Sequence, residues 1–371
     1  MDEFAIDIQA CRDRQKRLLK VMHTESLDLV VVQLTEHVQW LTGPRFGWVF
    51  EPSAAIWADG KVALVGPEGQ IPDRVAADQV TTYTAQRHST LRNDQRHASA
   101  IALTDCLANE NSGIRIGVEY SVSNRHLHFK NAELVDIEPA LYRLRRRKSP
   151  DELARLRKAI DATEAMYERA REIIEPGISE LEVFSQLQSV AVKSLGEMLT
   201  GTGNDYQCGS RGGPPRNGRI AQEGELYILD LGPAFRGYFA DNARTIAVTV
   251  PTDEQLMAWN HVVSVFDFVE QNVRPGVRAK SVFEQVNARL ENAPCGVFDH
   301  HLGHGIGLFP HEAPHLNPNW DDTFEVGDVF TAEPGLYGPV LNAGMRIEND
   351  YLVTDDGVQR LTNFPLDLRL D

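Results

Sequence analysis

The strongest constraint on the fold is a repetition inside the chain. The segment Pro176-Gly177-Ile178-Ser179-Glu180-Leu181-Glu182-Val183-Phe184-Ser185-Gln186-Leu187 recurs loosely as Pro275-Gly276-Val277-Arg278-Ala279-Lys280-Ser281-Val282-Phe283-Glu284-Gln285-Val286, 99 positions on. In each copy a Pro-Gly junction, which interrupts a helix, separates one long helical pattern (151 to 174 and 253 to 273) from the start of another. Apolar strands follow in both. Residues 150 to 371 therefore read as two related helix-helix-strands units.

Each unit ends in strands that carry acids. Leu226-Tyr227-Ile228-Leu229-Asp230-Leu231 is an apolar run with a carboxylate near its end, and Asp241 follows 11 residues after Asp230. In the second unit Glu333 closes the run Asp328-Val329-Phe330-Thr331-Ala332, and Glu348 follows 15 residues after it. Two related pairs of strands would aim four carboxylates at one centre. Such a cluster repels itself unless protons or cations neutralise it, and two divalent ions balance it in charge.

Between the two pairs lies His300-His301-Leu302-Gly303-His304-Gly305-Ile306-Gly307-Leu308-Phe309-Pro310-His311-Glu312, with four histidines, three glycines and no sustained helical or strand period. Burial alone does not explain it. Adding His304 to the carboxylates makes a mixed oxygen and nitrogen set that suits manganese, iron, cobalt or zinc rather than a metal selected by thiolate. A metal pair about 3.5 to 4 Å apart activates a bridging water and polarises a carbonyl together, which is hydrolytic machinery.

With 371 residues the chain exceeds what one core usually organises. Residues 3 to 23 read as an amphipathic helix and Leu27 to Val32 as a buried strand. Ala54 to Trp57 and Lys61 to Val65 flank Asp59-Gly60 as a hairpin. A strand at 80 to 84, a helix at 92 to 109 and a strand at 115 to 119 complete an alternating α/β domain. A new domain opens where Ser149-Pro150-Asp151-Glu152 has the pattern of a helix start with a capping box. The basic run Arg143 to Lys148 reads as the solvated end of a linker.

The formal charge of −16 disfavours nucleic acid as a partner. The four cysteines form no C-x-x-C pair, the N-terminus is unlike a secretory signal, and no apolar run approaches the ~20 residues that span a bilayer. A soluble, cytoplasmic protein is expected.

Asp230-x10-Asp241, Gly303-His304-Gly305-Ile306-Gly307-Leu308, Glu333-Pro334-Gly335-Leu336-Tyr337 and Met345-Arg346-Ile347-Glu348 together resemble the metal-binding motifs of the M24 metallopeptidases of the pita-bread fold. The layout is similar to that of Xaa-Pro aminopeptidases and Xaa-Pro dipeptidases, whose catalytic half follows a creatinase-type N-terminal domain. The resemblance implies an α/β two-domain chain: a creatinase-like α/β domain over residues 1 to 143, then a pita-bread α+β domain with internal pseudo-twofold symmetry over 144 to 371. It implies that Asp241 and Glu348 bridge two divalent ions, that Asp230 completes one, and that His304 with Glu333 completes the other. Manganese is the first expectation, with cobalt, zinc or iron as alternatives. Glu333 would shuttle the proton, and His300 and His311 would contact substrate. Arg346 and Tyr337 would stand behind the ligands or touch substrate, and His301 would be a bystander. Members assemble as dimers or tetramers, so a homodimer is expected, with Trp40, Phe46, Trp48 and Phe50 as a candidate wall at the active site.

The sequence departs from the family at two places. The peptidase pattern has a histidine 17 residues before its first metal aspartate, and that position is Gly213. The usual Asp-x-Thr-Arg is here Asp241-Asn242-Ala243-Arg244. The leading expectation is a two-metal hydrolase that releases the N-terminal residue of short peptides. Alternatives are a non-peptide C–N hydrolase or lyase on a small zwitterion, whose carboxylate Arg211 and Arg216 could bind, and a non-catalytic binding protein on the same fold. Restoring a histidine at Gly213 is expected to separate the first two.

Overall fold

A computed structural model of the chain describes residues 2–47, 49–107, 114–122, 126–129, 131–203 and 205–369. The chain forms two compact units, Met1–Arg145 and Arg146–Asp371. Among the described residues no helix is long and apolar enough to cross a membrane.

The first unit is built on a six-stranded mixed sheet in the order 79–83, 62–67, 53–57, 29–32, 115–118, 133–136. Leu29–Val32 is buried on both faces, as its unbroken β-branched run requires of a central strand. It runs antiparallel to Ser53–Trp57 and parallel to Arg115–Val118. Ser53–Trp57 and Val62–Pro67 form the expected hairpin, in which Gly60 takes φ +92°. The first helix runs over Ile8–Thr24, later than expected, because Asp7 caps it by accepting the Ala10 N–H at 2.9 Å. The helix expected over 92 to 109 covers Gln95–Cys106, and Asn109 lies outside the described residues. The edge strand Glu133–Asp136, mostly exposed and without an apolar run, was not anticipated. Of the aromatic group, Trp40 and Phe46 belong to the core and Phe50 is partly buried against it, so they form no exposed wall; Trp48 lies outside the described residues.

The repetition is visible in the hydrogen bonding of the second unit. Gly177 and Gly276 both adopt positive φ, +98° and +89°. The Gly177 N–H donates to the Ala221 carbonyl and the Gly276 N–H to the Phe324 carbonyl, each at 2.9 Å. Two residues on, isolated bridges pair Ser179 with Ile220 and Arg278 with Thr323. Each junction therefore ties a helix start to the approach of its own strands. The helices are Pro150–Ile173 with Glu180–Leu195, and Asp253–Asn272 with Ala279–Leu290. The first pair is followed by a three-stranded sheet in the order 242–247, 226–231, 205–208, and the second by a five-stranded sheet in the order 312–316, 303–305, 329–332, 349–353, 358–360.

The helix at Pro150 starts as its sequence demands: Glu152 Oε2 accepts the Ser149 N–H at 2.9 Å. The basic run before it is not a solvated linker. Arg145, Arg146 and Lys148 are all buried. Arg146 donates to both oxygens of Asp328 at 2.9 and 2.6 Å, and Lys148 Nζ to Glu312 at 3.0 Å. Charge density had suggested solvent, but the partners lie more than 160 residues away and leave no local signal.

Candidate metal centre

Antiparallel pairing brings the acids together. Leu226–Leu231 pairs with Asn242–Ala247 so that Leu231 faces Asn242, which puts Asp230 and Asp241 at one end of the pair. Val329–Ala332 pairs with Asn349–Val353 so that Ala332 faces Asn349, which puts Glu333 and Glu348 at the corresponding end. The Glu348 N–H donates to the Ala243 carbonyl at 2.9 Å and joins the two pairs. Arg244, fully buried, donates to Asn349 Oδ1 at 2.9 Å and braces the same junction.

His304 enters from the Gly303–Gly305 strand. A side chain at Gly303 would put Cβ 2.0 Å from the Thr331 carbonyl oxygen, and one at Gly305 2.2 Å from that of Ala313. Only glycine on either side lets this short strand lie close enough to present the histidine. His304 Nδ1 lies 3.1 Å from the Gly305 carbonyl, so Nδ1 carries the hydrogen. Nε2 then directs its lone pair inward, 3.4 Å from Glu333 and 3.6 Å from Asp241. Burial lowers the His304 pKa to about 4, so the ring is neutral at physiological pH and available as a ligand.

These side chains line a cavity of about 440 Å³. The ten residues singled out from the sequence all reach it: Asp230, Asp241, His304, Glu333, Glu348, His300, His311, Arg346, Arg211 and Tyr337. Ligating atoms of Asp230, Asp241 and Glu348 lie within 4.8 Å of one another, as do those of His301, His304 and Glu333, and of Asp241, His304 and His311.

The electrostatics are those of a site short of positive charge. Burial, then the neighbouring carboxylates, push Asp241 and Glu348 well above the usual carboxylate range. Burial raises Asp230 as well, against the pull of Arg346, whose Nη2 donates to it at 2.8 Å. Burial works against ionised Glu333 too, but there the His301 hydrogen bond and the charges of His301, His304 and Arg346 prevail and hold it at about 2. Both oxygens of Glu348 and Oδ1 of Asp230 are buried without a hydrogen-bond partner. Buried carboxylate oxygens are rarely left so, and divalent ions would satisfy them. The residues present therefore fit the metal pair.

Behind the ligands, Arg346 Nη1 donates to the Tyr337 hydroxyl at 3.3 Å, and that hydroxyl lies 3.0 Å from His300 Nε2. His300 Nδ1 donates to the His301 carbonyl at 2.7 Å, so its Nε2 accepts from Tyr337. The His311 ring stacks on His304 with centroids 3.7 Å apart. The neighbouring Glu312 holds that loop by accepting the Phe309 N–H at 3.1 Å and pairing with Lys148. The Arg211 guanidinium lies 4.1 Å from the Tyr337 ring centroid and pairs with Asp299 at the rim.

Three sequence readings need correction. Arg216 does not face the cavity; it holds the buried carboxylate of Glu180 at the start of a helix. His301 is no bystander, since its Nε2 lies 2.7 Å from Glu333 Oε1 and the side chain lines the cavity. Gly213 is not a vacant histidine position. Its φ is +122°, and a Cβ there would meet Gln207 Nε2 at 2.9 Å. Two acids were missed altogether. Asp205 ion-pairs with Arg346 and accepts the Gly213 N–H at 2.7 Å. Asp350, buried behind Glu348, accepts from Asn242 Nδ2 at 2.6 Å. The residue pair Asp350-Asn242 could have been suspected from the acid two positions beyond Glu348; Asp205 had no motif around it.

A mixed unit with a carboxylate and histidine cavity between paired strands is the architecture of a hydrolase of the pita-bread class. Residues 154–355 match the metallopeptidase family M24, and residues 14–147 match the creatinase/prolidase N-terminal domain. The chain belongs to metallopeptidase family M24. It is 32% identical over 234 residues to an uncharacterized peptidase of Staphylococcus epidermidis, a match over 62% of this chain. That match spans 66% of the relative's length. Among solved structures, the fold is similar to that of an Xaa-Pro dipeptidase from Bacillus anthracis, with TM-score 0.80, 22% identity and coverage of 97% of this chain and 99% of the other. It is also similar to that of a prolidase from Pyrococcus furiosus, with TM-score 0.77, 22% identity and coverage of 94% and 99%.

Proposed function

We propose that this chain is a two-metal hydrolase that releases the N-terminal residue of short peptides, with Xaa-Pro bonds preferred. The observation that carries the reading is the convergence of Asp230, Asp241, His304, Glu333 and Glu348 on one cavity, with both Glu348 oxygens buried and unpaired. The prolidase and Xaa-Pro dipeptidase that share its fold support the substrate class.

In this reading Asp241 and Glu348 would be shared between two divalent ions, Asp230 would serve one, and His304 with Glu333 the other. The ions, manganese first with cobalt, zinc or iron as alternatives, would supply an activated water and polarise the scissile carbonyl. Glu333 takes a proton from the attacking water and returns it to the leaving nitrogen. His311, stacked on His304, faces the substrate as a donor, whereas both ring nitrogens of His300 are engaged, by the His301 carbonyl and the Tyr337 hydroxyl, so His300 meets substrate as part of the cavity wall. Arg346 works against the burial that raises Asp230 and orients its carboxylate. Arg211 lies at the rim, where a peptide carboxylate would meet a guanidinium.

The test is direct. Purified protein loaded with manganese or cobalt is incubated with Xaa-Pro dipeptides and Xaa-Pro tripeptides, and the free N-terminal amino acid is quantified. No release above the metal-free control would sink the peptidase reading.

A second reading keeps the metals and changes the substrate to a small zwitterion cleaved at a non-peptide C–N bond. Gly213, which stands where the peptidase pattern has a histidine, favours it, as does the guanidinium of Arg211 within the cavity. Turnover of small betaine-like or guanidino acids without turnover of any peptide would select it. We also propose that the chain works in the cytoplasm as a homodimer, which light scattering of the purified protein tests.

A further inference from the structure

The five-ligand reading leaves His301 without a task, yet its imidazole lies nearer to a carboxylate of the cavity than that of His304 does. Its Nε2 is 2.7 Å from Glu333 Oε1, and the same oxygen is 3.4 Å from His304 Nε2. All three ligating atoms lie within 4.8 Å of one another. Donors bound to one ion at about 2.1 Å stand roughly 3 Å apart at right angles and about 3.4 Å apart at tetrahedral angles. The 3.4 Å separation lies in that range, and the 2.7 Å hydrogen bond is short of it by a few tenths of an ångström. The ring faces the cavity edge-on to the stacked rings of His304 and His311, with centroids 5.5 and 5.9 Å away.

We propose that His301 is a sixth metal ligand, a second imidazole at the His304 and Glu333 end of the pair. The two positions then differ in chemistry. At one end Asp230, Asp241 and Glu348 offer only oxygen, and at the other His301 and His304 add two nitrogens to Glu333. Oxygen-only sites suit manganese and magnesium, and imidazole suits zinc, cobalt and iron. The chain therefore takes a mixed pair, with a hard ion at the aspartate end and a borderline ion at the histidine end. The inference rests on the metal-pair reading of the cavity.

Metal-free protein equilibrated with both manganese and zinc, then freed of excess and assayed by elemental analysis, is expected to hold one equivalent of each. In His301→Asn the zinc equivalent is expected to weaken at least about tenfold in calorimetric titration, as loss of a ligand requires, while the manganese equivalent is retained. Circular dichroism establishes that the variant is folded. His301→Cys supplies a positive signal: with cobalt it is expected to give a thiolate-to-cobalt charge-transfer band that the unmodified chain lacks. Unchanged zinc affinity in His301→Asn, or a His301→Cys protein that binds cobalt without that band, overturns the ligand role of His301 and leaves the five-ligand pair standing. Failure of the unmodified chain to bind two ions overturns both readings.

Discussion

Replacing Arg346 by methionine should destabilise the metal-free protein far more than the metal-loaded one. In the metal-free chain Arg346 compensates Asp230 at 2.8 Å and also ion-pairs with Asp205, with its own side chain 10% exposed and each aspartate 18%. Removing one partner of a buried ion pair typically costs about 3–5 kcal/mol, because a buried charge is left uncompensated. For a unit the size of Arg146–Asp371, where 1 kcal/mol shifts Tm by about 2–4 °C, the loss is roughly 6–20 °C. The deficit should also depend on pH. Asp230 is already raised by burial against the pull of Arg346. Without the guanidinium its folded pKa rises further above the unfolded value. The folded state then binds more protons than the unfolded one, so stability falls as pH rises. The gap between variant and parent should be widest at alkaline pH and narrow toward pH 5. Divalent ions replace the missing charge, so saturating metal should recover most of the lost Tm. Scanning calorimetry of both proteins, with and without metal at three pH values, measures all of this. A metal-free Arg346→Met protein that melts within about 2 °C of the parent would refute the view that Arg346 compensates the buried acids.

Metal removal should lower the stability of the unmodified protein as well, and at a hundredfold excess over Kd a single bound ion restores about 2.7 kcal/mol, visible as a metal-dependent Tm. Glu333→Gln should reduce kcat by about 10²–10⁴ under saturating metal, the usual share of a general acid–base group, and a loss of less than tenfold would remove it from the proton path. Gly213→His should cost about 1–3 kcal/mol in urea unfolding rather than restore a peptidase, because the residue sits at φ +122° and its Cβ would crowd Gln207. A stable variant with enhanced peptidase activity would count against that strain.

Much of the site was legible because its acids flank strands whose apolar runs are strong local signals. Asp230, Asp241, Glu333 and Glu348 stand at strand ends, and antiparallel pairing does the rest. The repeated Pro-Gly junction was legible for the same reason, since Gly177 and Gly276 must each take a positive φ. What escaped was set by contacts distant in sequence. Arg216 looked like a free cation until Glu180, 36 residues upstream, claimed it. The run Arg143 to Lys148 looked solvated, although Asp328 and Glu312 draw Arg146 and Lys148 inward. Among four histidines in a loop without period, nothing distinguished His301 until its 2.7 Å approach to Glu333 was seen.

The bond from the Glu348 N–H to the Ala243 carbonyl joins two strand pairs that each bring half of the acids. Neither repeat contains both groups of candidate ligands, so a bound metal pair would act as a latch across the seam between them. Opening of that seam and escape of the metal become one event. The rate at which a strong chelator strips metal from the folded protein should therefore report how often the two halves part, long before the chain as a whole unfolds.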